Sequence, residues 1–274
     1  MTALKAFIVF FLMQPLGHAY MILAEKLGPQ WEVGAAVLAA VIGIIPLVWA
    51  RFVKNATTQT VLGMFSGFFL WTAFVEYGFK FGAHQLGVPP SPNGTAGEYR
   101  MLEHTWGLVL MLIIYLMFHK GVRCDAMVWL RKTLRLVDGN LVEGRVGNYA
   151  PRVAFETFSA TWTYYVILLL LYDESIFGVH SFATKLAFVL FLGGGAYLLY
   201  KNFQFKEFGA ALRYAIPTVI TFWSGVEILA KWGVFREPWI TLNPAVMIPI
   251  VIAFAFAIWL VVRDLKMRQR AASG

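Results

Sequence analysis

Hydrophobic positions in this chain do not alternate with polar ones. They run together in stretches near the roughly 20 residues that a helix needs to cross a hydrocarbon layer. Hydropathy windows predict eight such stretches, at 4–24, 33–51, 58–82, 100–119, 153–172, 181–200, 212–233 and 244–262. Continuous runs exclude an outer-membrane barrel, whose strands are short and alternate apolar with polar residues. The pattern predicts an all-α polytopic transmembrane bundle forming a single integral membrane domain over residues 1–274. Lys5 ahead of an apolar run resembles a signal peptide, but Gln14, Pro15 and His18 interrupt that run, so it is read as the first span.

Composition agrees with the pattern. The chain is 59% hydrophobic and 14% charged, against roughly a quarter charged in ordinary soluble domains, which excludes a soluble globular protein. The net charge of +8 raises the question of a nucleic-acid partner, and the placement of the cations answers it. Lys and Arg gather in the connections 51–58, 120–152 and 201–213 and after Val262, while the other connections are poor in them. The positive-inside rule then predicts cytoplasmic termini and basic loops, and no nucleic acid is needed to account for the charge. Compact loops suggest a bacterial plasma (inner) membrane.

Within 120–152, Met127, Leu130, Leu134 and Val137 recur at helical spacing with Arg131, Lys132 and Arg135 between them. An amphipathic helix on an anionic inner leaflet is expected there. The single cysteine, Cys124, excludes an internal disulfide framework and an all-thiolate metal site. Trp31, Trp49, Trp106, Trp129, Trp232 and Trp239 fall near span ends, as in an aromatic belt.

A weak repeat runs through the spans. Trp71, Thr72, Val75, Glu76 and Lys80 in the third are echoed by Trp223, Ser224, Val226, Glu227 and Lys231 in the seventh, with one residue more between Trp and Glu in the third. Two parallel four-helix halves would produce this echo.

Ionisable residues inside spans are costly and are functional candidates by default. Lys80 and Lys231 each lie four residues beyond a glutamate, so ion pairs Glu76–Lys80 and Glu227–Lys231 are expected. His18, His84, His104 and His180 project to the outer level, whereas His119 belongs to the cytoplasmic side. His18, Glu76, Glu103, His104 and Glu227 are the candidate outward-opening polar cluster, with Gln14 one turn below His18. Imidazole and carboxylate together suit a non-haem metal, and His18 with His104 would supply the axial pair of a haem b. The fifth span carries Thr157, Ser159, Thr161, Thr163, Tyr164 and Tyr165, hydroxyls that bond across helices, line a cavity or bond their own backbone. Gly193–Gly195 is read as close helix packing and Asn243–Pro244 as a helix start.

Three functions follow from these features. One is a membrane subunit of a redox or metalloenzyme complex, with a haem, metal or quinone near the outer leaflet and further membrane or periplasmic subunits as partners. Another is a proton- or cation-coupled transporter of a small solute that uses Glu76 and Glu227. The third is a structural or assembly subunit.

Overall fold

Where the sequence interrupts its apolar runs, it supplies helix starts. Pro29 opens one helix, Asn55 caps the next by accepting from the Thr58 amide at 2.9 Å, and Ser181 caps another through the Thr184 amide at 3.1 Å. Such residues satisfy or dispense with the unpaired amides of a first turn. The structure, a computed structural model, describes residues 2–90, 96–118, 131–135 and 148–273. His119, Cys124 and Trp129 lie outside the described residues, as does most of the 120–152 connection.

The described chain is an all-α bundle. Its helices are α1 (Thr2–Leu27), α2 (Pro29–Ala50), α3 (Ala56–Leu86), α4 (Gly97–Phe118), α5 (Tyr149–Tyr172), α6 (Phe182–Asn202), α7 (Phe208–Lys231), the short α8 (Pro238–Thr241) and α9 (Pro244–Ser273). The eight expected spans correspond to α1 through α7 and α9, but among the described residues only six helices, α1 to α6, are both long and apolar enough to cross a membrane. The protein is a multi-pass membrane protein. Helix α7 has 24 residues, and its polar Thr218, Thr221 and Ser224 are buried inside the bundle. In α9 the apolar stretch found among the described residues is Pro244–Trp259.

One expectation about a surface residue changes. Trp239 is not a belt residue, because α8 folds back and buries its ring 5.0 Å from that of Trp223. Of the expected amphipathic connection only 131–135 is described, with Arg131 buried and Lys132, Leu134 and Arg135 exposed.

Lipid tails are as apolar as leucine, so close packing holds such helices together more than water exclusion does. Helix α3 supplies that closeness with Gly63 and Gly67, where a Cβ would run into the Ala150 and Ala154 carbonyls of α5. The pairing then repeats: α3 packs against α2 and α5, and α7 packs against α6 and α1, the helices four spans away. Gly43 of α2 receives Leu70, and Gly195 of α6 receives Phe222. Leu70 precedes Trp71 just as Phe222 precedes Trp223, so the two halves of the chain pack alike around matching positions.

The odd residue of the repeat is absorbed by backbone geometry. Residues Thr72–Glu76 form a π-turn inside α3, closed by the Tyr77 amide donating to the Thr72 carbonyl. In an α-helix, residues five apart point about 140° from each other and residues four apart about 40°. A turn with i→i+5 bonds holds one residue more, so Glu76 lines the cleft together with Trp71 as Glu227 does with Trp223.

Towards the basic loops, the interior is filled by Phe10, Met13, Met64, Phe68, Leu212 and Ile216 with their neighbours. Towards the opposite end, that fill gives way to polar groups.

Candidate functional site

Each of four helices offers polar residues one turn apart to the same space. Gln14 and His18 come from α1, Thr72 and Glu76 from α3, Thr161 and Tyr165 from α5, and Ser224 and Glu227 from α7. Together with the aromatic walls Phe68, Trp71, Tyr164 and Trp223, they surround a narrow cleft with about 30 Å³ of free space. Gln14, Thr72 and Thr161 stand near the midpoints of their helices, and the glutamates stand one turn beyond, towards the end opposite the basic loops.

The charges in the cleft are paired unequally. His18 Nε2 lies 3.5 Å from Glu227 Oε1, which also accepts from Trp223 Nε1 at 2.7 Å. The His18 and Trp223 rings stack with centroids 6.5 Å apart. Glu76 has no such direct partner, and its charged neighbours are His18, Glu227 and Lys80.

The expected helix-internal ion pairs do not form. Lys80 Nζ lies 2.6 Å from Glu32 and 3.2 Å from Glu25, because the α1–α2 connection closes over the end of α3 and places two carboxylates within reach of the lysine. Lys231 lies 5.5 Å over the Tyr172 ring instead of on Glu227. Spacing along one helix says nothing of carboxylates supplied by another. With both lysines directed elsewhere, Glu76 and Glu227 are left to the cleft.

The remaining candidates stand apart from it. Helix α4 breaks at His104–Thr105, where the Thr105 hydroxyl donates to the Leu102 carbonyl and accepts from Trp162 Nε1 at 3.0 Å. At that break His104 is exposed, with Nδ1 2.6 Å from the Arg100 carbonyl of its own helix. Glu103 is buried against Asp173 at the end of α5, and His84 and His180 are exposed. A haem held by His18 and His104 therefore does not fit, since only His18 faces the cleft. Among the described residues, no three of His, Cys, Asp and Glu converge to hold a metal ion.

Hydroxyls of the fifth span divide between two roles. Thr161 and Thr163 donate to the carbonyls four residues back, at 2.9 and 2.7 Å, while Thr161, Tyr164 and Tyr165 also line the cleft. Nothing in the chemistry of Trp71, Thr72 and Ser224 alone marks them as site residues; their membership of the Trp–hydroxyl–Val–Glu echo is the signal the sequence carries.

Beyond the end of α5, the Ser175 hydroxyl and amide both donate to Asp173 at 2.6 Å and hold its carboxyl below the usual carboxylate range. The stability this turn gains is complete above the ordinary carboxylate pKa and is lost as pH falls through the lowered one. Acidification through that window is expected to lower the protection factor of the Ser175 amide, measured against the intrinsic exchange rate at each pH, and Asp173→Asn should lower it at neutral pH as well. Unchanged protection in both cases would contradict this account.

No protein-family model, curated protein or solved structure matches the chain.

Proposed function

We propose that the protein is a proton-coupled transporter of a small solute. The observation that carries this reading is the polar cleft at the meeting of two like-packed halves, where Glu76 from one half and Glu227 from the other face His18. Duplicated halves around a site near the helix midpoints are the usual framework of alternating access. Carboxylates and an imidazole inside a membrane bundle are the groups that take up and release protons along such a path. The aromatic and aliphatic fill between the cleft and the basic end closes one route, as a one-sided state requires. By the positive-inside rule, the basic end and both termini are cytoplasmic and the cleft belongs to the outer half. A bacterial plasma membrane with an anionic inner leaflet suits that arrangement. The redox reading draws less support, because its second histidine lies outside the cleft.

Reconstituted vesicles carrying an internal pH indicator test the proposal. Wild-type protein should move protons inward with an added solute, and Glu76→Gln or Glu227→Gln should reduce that flux to the level of empty vesicles. Flux that survives both substitutions would remove the glutamates from the mechanism. Absence of flux across a broad solute panel would favour a structural or assembly subunit.

A further inference from the structure

We propose that the cleft binds a short-chain zwitterion, with its carboxylate at the helix midpoints and its ammonium group one turn further out, beside Glu76. The inference rests on the reading of this cleft as a solute site and names the class of solute. Three buried donors that line the deep part of the cleft have no partner: Gln14 Nε2, Trp71 Nε1 and Thr72 Oγ1. Their residues are 6%, 4% and 1% exposed, so bulk water does not solvate them. Buried polar groups in native proteins are nearly always hydrogen-bonded, and leaving one unpaired is costly. Three N–H or O–H donors on two facing helices, with the Thr161 hydroxyl already committed to its own backbone, call for an acceptor that takes several bonds at once. A carboxylate is the small group that does so.

One turn outward the polarity of the wall reverses. Glu227 is engaged by His18 and Trp223, which leaves Glu76 as the carboxylate without a direct cation or donor. Trp71, Tyr165 and Trp223 line the same space, and an ammonium group is attracted by a carboxylate and by aromatic faces alike. Donors below and acceptors above match a molecule with an anionic head and a cationic tail, not an amine or an acid alone.

The helix sets the length of the ligand. Gln14 to His18 in α1 is four residues, a rise of about 6 Å, and Thr72 to Glu76, wound as a π-turn, spans somewhat less. An extended γ-amino acid, with three methylenes between its charged groups, spans about 5 Å from nitrogen to carboxyl carbon, and an α-amino acid about half of that. Phe68, Leu168 and Ile220 also line the narrow cleft, which favours an unbranched chain over a bulky one.

Calorimetric titration of the purified full-length protein in nanodiscs tests this with 4-aminobutyrate, n-butylamine, butyrate and glycine at matched ionic strength. Saturable binding of 4-aminobutyrate is expected, with the other three weaker by about tenfold or more, because a site with buried polar groups rejects analogues that leave them unpaired. Thr72→Val and Gln14→Leu should weaken 4-aminobutyrate about tenfold and leave butylamine unaffected, whereas Glu76→Gln should weaken both. Thr72→Val is nearly isosteric and keeps the comparison interpretable should Gln14→Leu fail to fold. No saturable heat with 4-aminobutyrate, or equal affinity for all four probes, would overturn the proposal and assign the donors to water. Binding without proton flux would instead sink the transport reading and leave the ligand class standing. Flux driven by other solutes with no zwitterion binding would do the converse.

Discussion

Gly67→Leu is expected to yield no folded protein. A Cβ at this position runs into the Ala154 carbonyl and comes within 2.8 Å of Thr157 Cβ, so the obstacle is largely backbone and cannot swing aside. Relief requires α3 and α5 to separate along their whole contact, which also includes Gly63 against Ala150. Overpacking of a tight core costs about 1–3 kcal/mol, and a clash with a helix backbone belongs at or above the top of that range. Since packing is the main force between helices in lipid, little remains to compensate. Size-exclusion chromatography in detergent should show aggregate where wild type elutes as one species. The control is Gly78→Ala in the same helix, where an added Cβ meets nothing within 4 Å. It should raise the thermal midpoint slightly, since alanine is favoured over glycine in a helix by about 1 kcal/mol. A monodisperse Gly67→Leu protein would show that the α3–α5 contact does not hold the bundle together.

Single-residue deletions in the two glutamate helices should have opposite outcomes. Phe74 sits in the π-turn with its side chain 58% exposed, and removing it lets α3 continue as a regular α-helix. Glu76 would then stand four residues after Trp71, the spacing that already directs Glu227 to His18 and to Trp223 Nε1. This variant is expected to fold, to retain proton flux and to acquire a Trp71–glutamate hydrogen bond. The corresponding deletion of Val226 removes a residue from a helix that has none to spare. Everything beyond it would turn by about 100°, carrying Glu227 away from His18 and its stretch of α7 out of register with α6. Folded yield and flux should both be lost. Equal tolerance of the two deletions would mean that the π-turn is not an inserted residue.

Depth was legible in the sequence and direction around the helix axis was not. Apolar runs gave the helices, and parity of the connections gave the level of each polar residue, which is why His18, Glu76 and Glu227 do meet. His104 and Glu103 lie towards the same end of the bundle, opposite the basic loops, yet a break in α4 turns them to other neighbours. Helical spacing assigns each lysine to its own glutamate, but the nearest partners of Lys80 are carboxylates near the α1–α2 connection, which no local rule supplies. The π-turn is invisible to hydropathy, although the extra residue between Trp71 and Glu76 was its trace in the repeat. Gly63-Met64-Phe65-Ser66-Gly67 is a small-residue pair at the spacing that brings membrane helices into contact, and the α3–α5 seam could have been read from it. The three unpartnered donors of the cleft had no such trace, since a lack of partners exists only once the helices are assembled.

The apolar fill beneath the cleft has an electrical meaning as well. Hydrocarbon side chains insulate, so with water or solute in the cleft the membrane voltage falls mainly across Phe10, Met13, Met64, Leu212 and Ile216. Moving one elementary charge through the full voltage is worth about 2.3 kcal/mol per 100 mV. A ligand entering the cleft therefore crosses little of that field, and a proton passing the fill crosses most of it. Under the proposed transport, solute affinity should be nearly indifferent to voltage, while the turnover rate should follow it.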